Sequence, residues 1–178
     1  VEGAAGGVRG EEVRNAHLAA EPVAHAGEEA FVALVVVVDA GGVAAGVAKL
    51  LEAEGMDVKV VSEGGRPAVI AHKEGPAGSP RVLMYAHHDV QPPGDDADWQ
   101  SPPFEPTERD GRLYGRGAAD DKAGVMAHIA AIRAWGDDLP CTVTLFIEGE
   151  EEIASDSLPP LLRTCLLYTS PSPRDLST

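Results

Sequence analysis

The chain has 178 residues, 44% of them hydrophobic, and carries 29 acidic against 14 basic side chains for a formal charge of −15. That apolar content suffices for one packed core and excludes a disordered chain, while the charge opposes partnership with nucleic acid or anionic lipid. Two cysteines in unlike contexts, Cys141 and Cys165, make neither a CxxC zinc motif nor a disulfide framework, which points to a reducing, cytoplasmic setting.

In chain order, the first 40 residues are Gly- and Ala-rich. They yield a helix over about Gly10 to Ala20 and an apolar element at Phe31 to Val38, too short to span a bilayer and not preceded by a basic leader. Val1 stands where a start methionine would, so the natural start is expected to lie upstream. From Gly42, Val43, Val47, Leu50 and Leu51 recur at helical spacing, with Gly55 as the stop. Met56 to Ser62 alternates as a strand, Gly64-Gly65 marks a turn, and Pro67 to His72 reads as the partner strand. Arg81 to Ala86 contains the unbroken apolar run Val82-Leu83-Met84-Tyr85, which predicts a strand buried on both faces. A proline-rich loop follows from Pro92 to Pro106, then a short hairpin over Arg109 to Gly115. A helix is predicted over about Lys122 to Trp135, with Val125, Ile129 and Ile132 on one face. An apolar strand at Thr142 to Ile147 and a helix starting at Leu158 complete the order, which is that of an α/β fold. The closing stretch, Leu166 to Thr178, turns abruptly to Ser, Thr and Pro and reads as an adapter-derived, non-native tail.

Three clusters carry the chemistry: His87-His88-Asp89, Asp120-Asp121 and Glu150-Glu151-Glu152. The first and third follow strands, at the carboxyl ends where open α/β sheets place their sites. In an extended segment residues two apart share a side, so Asp89 can orient His87 while His88 faces away. A carboxylate on the far imidazole nitrogen is the usual support of a metal-bound histidine. By itself His-x-Asp is a weak signal, since packed or solvated histidines are commoner. Either aspartate of Asp120-Asp121 could simply cap the following helix, although glycines at 115, 117 and 124 permit tight geometry and a carboxylate at such a junction can bridge two cations. The helix macrodipole accounts for one or two of the glutamates. It accounts less well for the whole run of Glu148, Glu150, Glu151 and Glu152, because adjacent like charges cost energy unless they are solvated or sit at a metal edge. There one glutamate coordinates and its neighbour takes a proton from water, whose pKa zinc lowers from about 15.7 to about 7. With about three protein ligands per hydrolytic zinc, His87, Asp120 and Glu152 leave each of two metals one ligand short. His72 and His128 are weak local substitutes.

The segments YAHHDVQP (Tyr85 to Pro92), GRLYGRGAADDKAG (Gly111 to Gly124) and EGEEEIAS (Glu148 to Ser155) resemble the zinc-dependent exopeptidase family of carnosinase-like dipeptidases, glutamate carboxypeptidases, aminoacylases and succinyl-diaminopimelate desuccinylases. WQSPPFEP (Trp99 to Pro106) is similar to the dipeptidase branch. The resemblance implies a three-layer α/β sandwich, a mixed sheet covered by helices, cut short before the family's lid domain and its later aspartate and histidine ligands. It divides the chain into a poorly matched segment at 1–40, a partial catalytic domain at 41–164 and the tail at 165–178. It implies His87 as the first metal ligand, Asp89 as its orienting carboxylate and Asp120 as the bridge, with a cis bond to Asp121. Glu151 is then the general base and Glu152 the ligand of the other metal. Zinc is the expected ion, two per intact enzyme, with manganese or cobalt as alternatives. The expected substrate is a small peptide or an N-acyl amino acid, and the expected parent is a homodimer whose fragment is inactive. A deacylase or desuccinylase of the same family, and a metal-free non-catalytic fragment, are the rival readings. One departure is Ala154, where the family usually has glycine. If that position needs positive φ, alanine strains it.

Overall fold

The computed structural model describes residues 40–163. The expected helix at Gly10 to Ala20, the apolar element at Phe31 to Val38 and the tail from Leu166 lie outside these residues. Helix α1 (Ala40–Ala53) leads into strands β1 (Asp57–Val61) and β2 (Ala68–Lys73), then β3 (Arg81–His87) and the hairpin of β4 (Thr107–Arg109) and β5 (Arg112–Tyr114). Helix α2 (Ala123–Trp135), strand β6 (Thr142–Glu148) and the short helix α3 (Leu158–Leu161) complete the described order. Each element anticipated within 42–163 is present.

Local sequence explains these elements. Val43, Val47 and Leu51 are buried on one side of α1, and Gly55, at φ 74°, ends the helix in the left-handed conformation while Met56 N donates to Leu51 O. In the β4–β5 hairpin Asp110 and Gly111 form the two-residue turn, both with positive φ (52° and 70°), the pairing that matches strand twist.

The main sheet has the order β1-β2-β6-β3. β1 and β2 pair antiparallel, as do β2 and β6, while β3 and β6 run parallel. α1 and α2 cover one face, burying Val43, Val47, Leu51, Val125, Ile129 and Ile132 against Val69, Ala71, Val143, Leu145 and Ile147. The other face carries a smaller cluster in which Leu161 of α3 meets Ala68 and Phe146. The result is helices, mixed sheet, helix in three layers. Placement of β3 departs from the expectation of burial on both faces. Among the described residues it is an edge strand, with Val82, Leu83 and Tyr85 exposed at 41%, 58% and 47%. β6, by contrast, sits between two strands, and six of its seven residues are buried.

The parallel pairing fixes the site. With Arg81 opposite Thr142 and His87 opposite Glu148, the segments that follow β3 and β6 emerge side by side.

Candidate metal centre

At that sheet end, His87 is buried with its two ring nitrogens aimed at different carboxylates. Nδ1 lies 3.3 Å from Asp89 Oδ1, an ion-pair distance without hydrogen-bond alignment, and Nε2 lies 3.1 Å from Asp120 Oδ1 and 3.9 Å from Glu151 Oε2. Burial works against a charged imidazole. Asp89, Asp120 and Asp121 outweigh it and push His87 up to about 9. Burial alone would raise Asp89, but His87 and the Glu152 amide reverse that and hold its carboxyl below the usual range.

Asp89 does more than face His87. Its two oxygens accept the backbone amides of Glu151 (3.2 Å) and Glu152 (3.0 Å), so one buried carboxylate ties the end of β3 to the turn after β6. His88 faces away, as the period of two requires. It is buried, with Nε2 donating to Pro67 O at 2.8 Å, and burial lowers its pKa.

The Asp120-Asp121 pair resolves into two roles. Asp121 is the cap: Oδ1 accepts Gly124 N of α2 at 3.1 Å and Oδ2 accepts His87 N at 3.3 Å. A Cβ on Gly124 would lie 2.1 Å from Asp121 Oδ1, so that residue must be glycine for the cap to close. Asp120 is left with a largely exposed carboxylate pointing at His87, and the Asp120–Asp121 peptide is cis. Lys122, next in sequence, is fully buried, which lowers its pKa to about 8.

The acidic run also sorts itself. Glu148 is buried and accepts from the Tyr85 hydroxyl, while burial and that carboxylate together raise the hydroxyl's pKa. Glu150 is buried and bound by backbone and serine donors. Glu151 and Glu152 belong to a 3₁₀ turn (Glu151–Ile153) ended by Ala154 at φ 79°. The Glu151 carboxylate opens toward His87, and Glu152 Oε2 accepts from Gln91 Nε2 at 2.8 Å.

The structure thus brings His87, Asp89, Asp120 and Glu151 together. Glu152 is tied in through its amide, with its carboxylate directed to Gln91. Neither local substitute joins them: His72 contacts Thr144 and Glu74, and His128 Nε2 meets Tyr85 O. Gln91 is not singled out by the sequence, and Glu150 stands out there only as a member of the acidic run. The alternation linking residues 87 and 89 extends to 91, so Gln91 had a signal, whereas nothing local paired Glu150 with Ser157. Imidazole nitrogen and carboxylate oxygen are donors that zinc accepts. Among the described residues no three candidate ligands are gathered closely enough to enclose an ion.

The chain is similar to several known proteins. The chain is 41% identical over 100 residues to the Beta-Ala-His dipeptidase of Rattus norvegicus, a match covering 54% of this chain and 20% of that protein. It is 40% identical over 108 residues to the succinyl-diaminopimelate desuccinylase of Bordetella pertussis, covering 59% and 28%. The solved structure of an M20 family metallo-carboxypeptidase from Sulfolobus solfataricus superposes with a TM-score of 0.72 at 29% identity, over 76% of this chain and 33% of that one. The chain therefore spans between 20% and 28% of these two curated relatives. The model of peptidase family M20/M25/M40 matches residues 83–172, half of the sequence and all three clusters, and the chain belongs to that family.

Proposed function

We propose that the parent protein hydrolyses a peptide or N-acyl amino-acid amide bond at a two-zinc centre, of which this chain supplies one part. The observation that carries the reading is His87, held between Asp89 on Nδ1 and Asp120 and Glu151 on Nε2. His87 and Glu152 would each hold one ion, with Asp120 between them. When bound, the ions supply Lewis-acid polarisation of the scissile carbonyl and acidify the attacking water.

The chain's own residues do the rest. Asp89 fixes the imidazole so that Nε2 is presented to the ion. Glu151, whose Oε2 lies 3.9 Å from His87 Nε2, takes the proton from water and passes it to the departing amine nitrogen. Gln91 occupies one oxygen of Glu152 and leaves the other for coordination. The similarity to the Beta-Ala-His dipeptidase supports a dipeptide substrate as the first reading. An N-acyl amino acid is the second reading, favoured by the comparable identity to the desuccinylase.

The 178-residue chain is expected to bind cobalt or zinc weakly at one site and to turn nothing over. Titration followed by cobalt absorption tests this. Binding that His87→Ala leaves intact would refute the ligand assignment. On the parent protein, Glu151→Ala should retain metal while kcat falls by about 10²–10⁴-fold. Equal loss of metal and turnover would contradict the base assignment.

A further inference from the structure

Glu150 immediately precedes the two proposed functional glutamates, and its carboxylate is bound by Arg66 and Ser157. Its side chain is buried, at 8% exposure, and every hydrogen bond the structure gives its carboxylate comes from a fixed donor. Oε1 accepts Arg66 N at 2.9 Å, and Oε2 accepts Ser157 N at 3.1 Å and Ser157 Oγ at 2.6 Å. These donors hold its pKa below the usual carboxylate range. The Glu150 carbonyl meanwhile accepts Ile153 N and Ser155 N at 3.1 and 2.9 Å, closing the turn that carries Glu151 and Glu152. Glycine at 65 makes the approach possible, since a Cβ there would lie 2.5 to 2.7 Å from the Glu150 carboxylate atoms.

We infer that Glu150 is a positioning residue: a buried carboxylate clamp that sets the Glu151–Glu152 turn, whose amides Asp89 also holds. The donors belong to separate parts of the fold. Arg66 lies in the β1–β2 connection, whose next residue, Pro67, accepts His88 Nε2, and Ser157 immediately precedes α3. Through Glu150 the hairpin and α3 both anchor the turn, and through Asp89 the turn is referred to His87. Any catalytic consequence rests on reading Glu151 and Glu152 as base and ligand. The clamp itself does not.

The clamp demands a carboxylate. Glutamine has the same shape, but whichever way its amide is turned, an N–H₂ faces a backbone N–H at Arg66 or Ser157. Glu150→Gln therefore loses at least one charge-assisted bond and sets donor against donor. Gly65→Ala displaces the same carboxylate without touching it chemically.

Amide hydrogen exchange on the full chain, kept metal-free with chelator, tests this. Glu150→Gln and Gly65→Ala should each speed exchange at Glu151 and Glu152 by about 10- to 100-fold relative to Leu145 in β6. Ser157→Ala, which removes only the hydroxyl donor, should do so more weakly and serves if either of the others fails to fold. Acceleration at 151 and 152 that only keeps step with Leu145 would reduce Glu150 to a general stabiliser and overturn the proposal. Cobalt titration is the second arm: the variants should weaken binding at least about tenfold where wild type binds. If wild type binds no cobalt, the metal reading fails, while the exchange ratio still decides the role of Glu150.

Discussion

Replacing Ala154 with glycine should stabilise the protein, the reverse of the usual effect of that exchange. Ala154 ends the Glu151–Ile153 turn at φ 79° and ψ 12°, where a side chain crowds the backbone at a cost of about 1–2 kcal/mol. Its methyl group is exposed, so deleting it sacrifices no packing. Glycine adds roughly 0.4–1 kcal/mol of unfolded-state entropy to be overcome, leaving a net gain of about 0.5–1 kcal/mol. For a chain of this size that is about 1–4 °C in Tm. Ala45→Gly supplies the control, because Ala45 lies on the exposed side of α1 and the same change there should cost about 1 kcal/mol. Urea unfolding at constant m-value reads both. A lowered midpoint for Ala154→Gly, or the same sign for the two variants, would refute the reasoning.

Three further outcomes follow from packing and charge. In metal-free protein His87 titrates at about 9 folded against about 6.5 unfolded, so its contribution is complete below pH 6.5 and is lost as pH rises toward 9. Lys122, at about 8 folded against about 10.5 unfolded, adds stability as pH rises between those values. Urea midpoints should therefore pass through a minimum near pH 8–9, and His87→Asn should remove its acid limb; a flat profile in the wild type would contradict both assignments. Leu145→Ala, which opens the centre of the sheet at a fully buried position, should cost about 2–5 kcal/mol in urea unfolding; a loss under about 1 kcal/mol would mean that the core refills. Leu83→Lys places a charge on β3, the edge strand among the described residues, and should suppress self-association at high concentration with less than about 0.5 kcal/mol lost. Unchanged sedimentation in a chain that does self-associate would show that β3 is not the sticky edge.

Much of the fold was legible because each element carries its own signal: helical spacing of Val43, Val47 and Leu51, alternation over Met56 to Ser62, and Gly64-Gly65 at the turn before the partner strand. The candidate site was legible as residue types for a related reason. His87 and Asp89 are two apart in an extended segment, and that spacing alone puts them on one side. β3 shows where local pattern stops being informative, since an apolar run states what a strand needs around it and not which neighbours the described residues provide.

The sequence by itself determined the chemistry available at the end of β3, before α2 and after β6, because donor type and local spacing are properties of short segments. Only the tertiary structure decided how those carboxylates divide their work. Glu148 meets Tyr85 across a parallel pairing, Glu150 meets Arg66 and Ser157 across 84 and 7 residues, and Asp121 caps α2 while Asp120 turns to His87. Four similar acidic residues are indistinguishable in a string of letters. They become different when packing decides which of them meets a fixed donor and which is left open to the site.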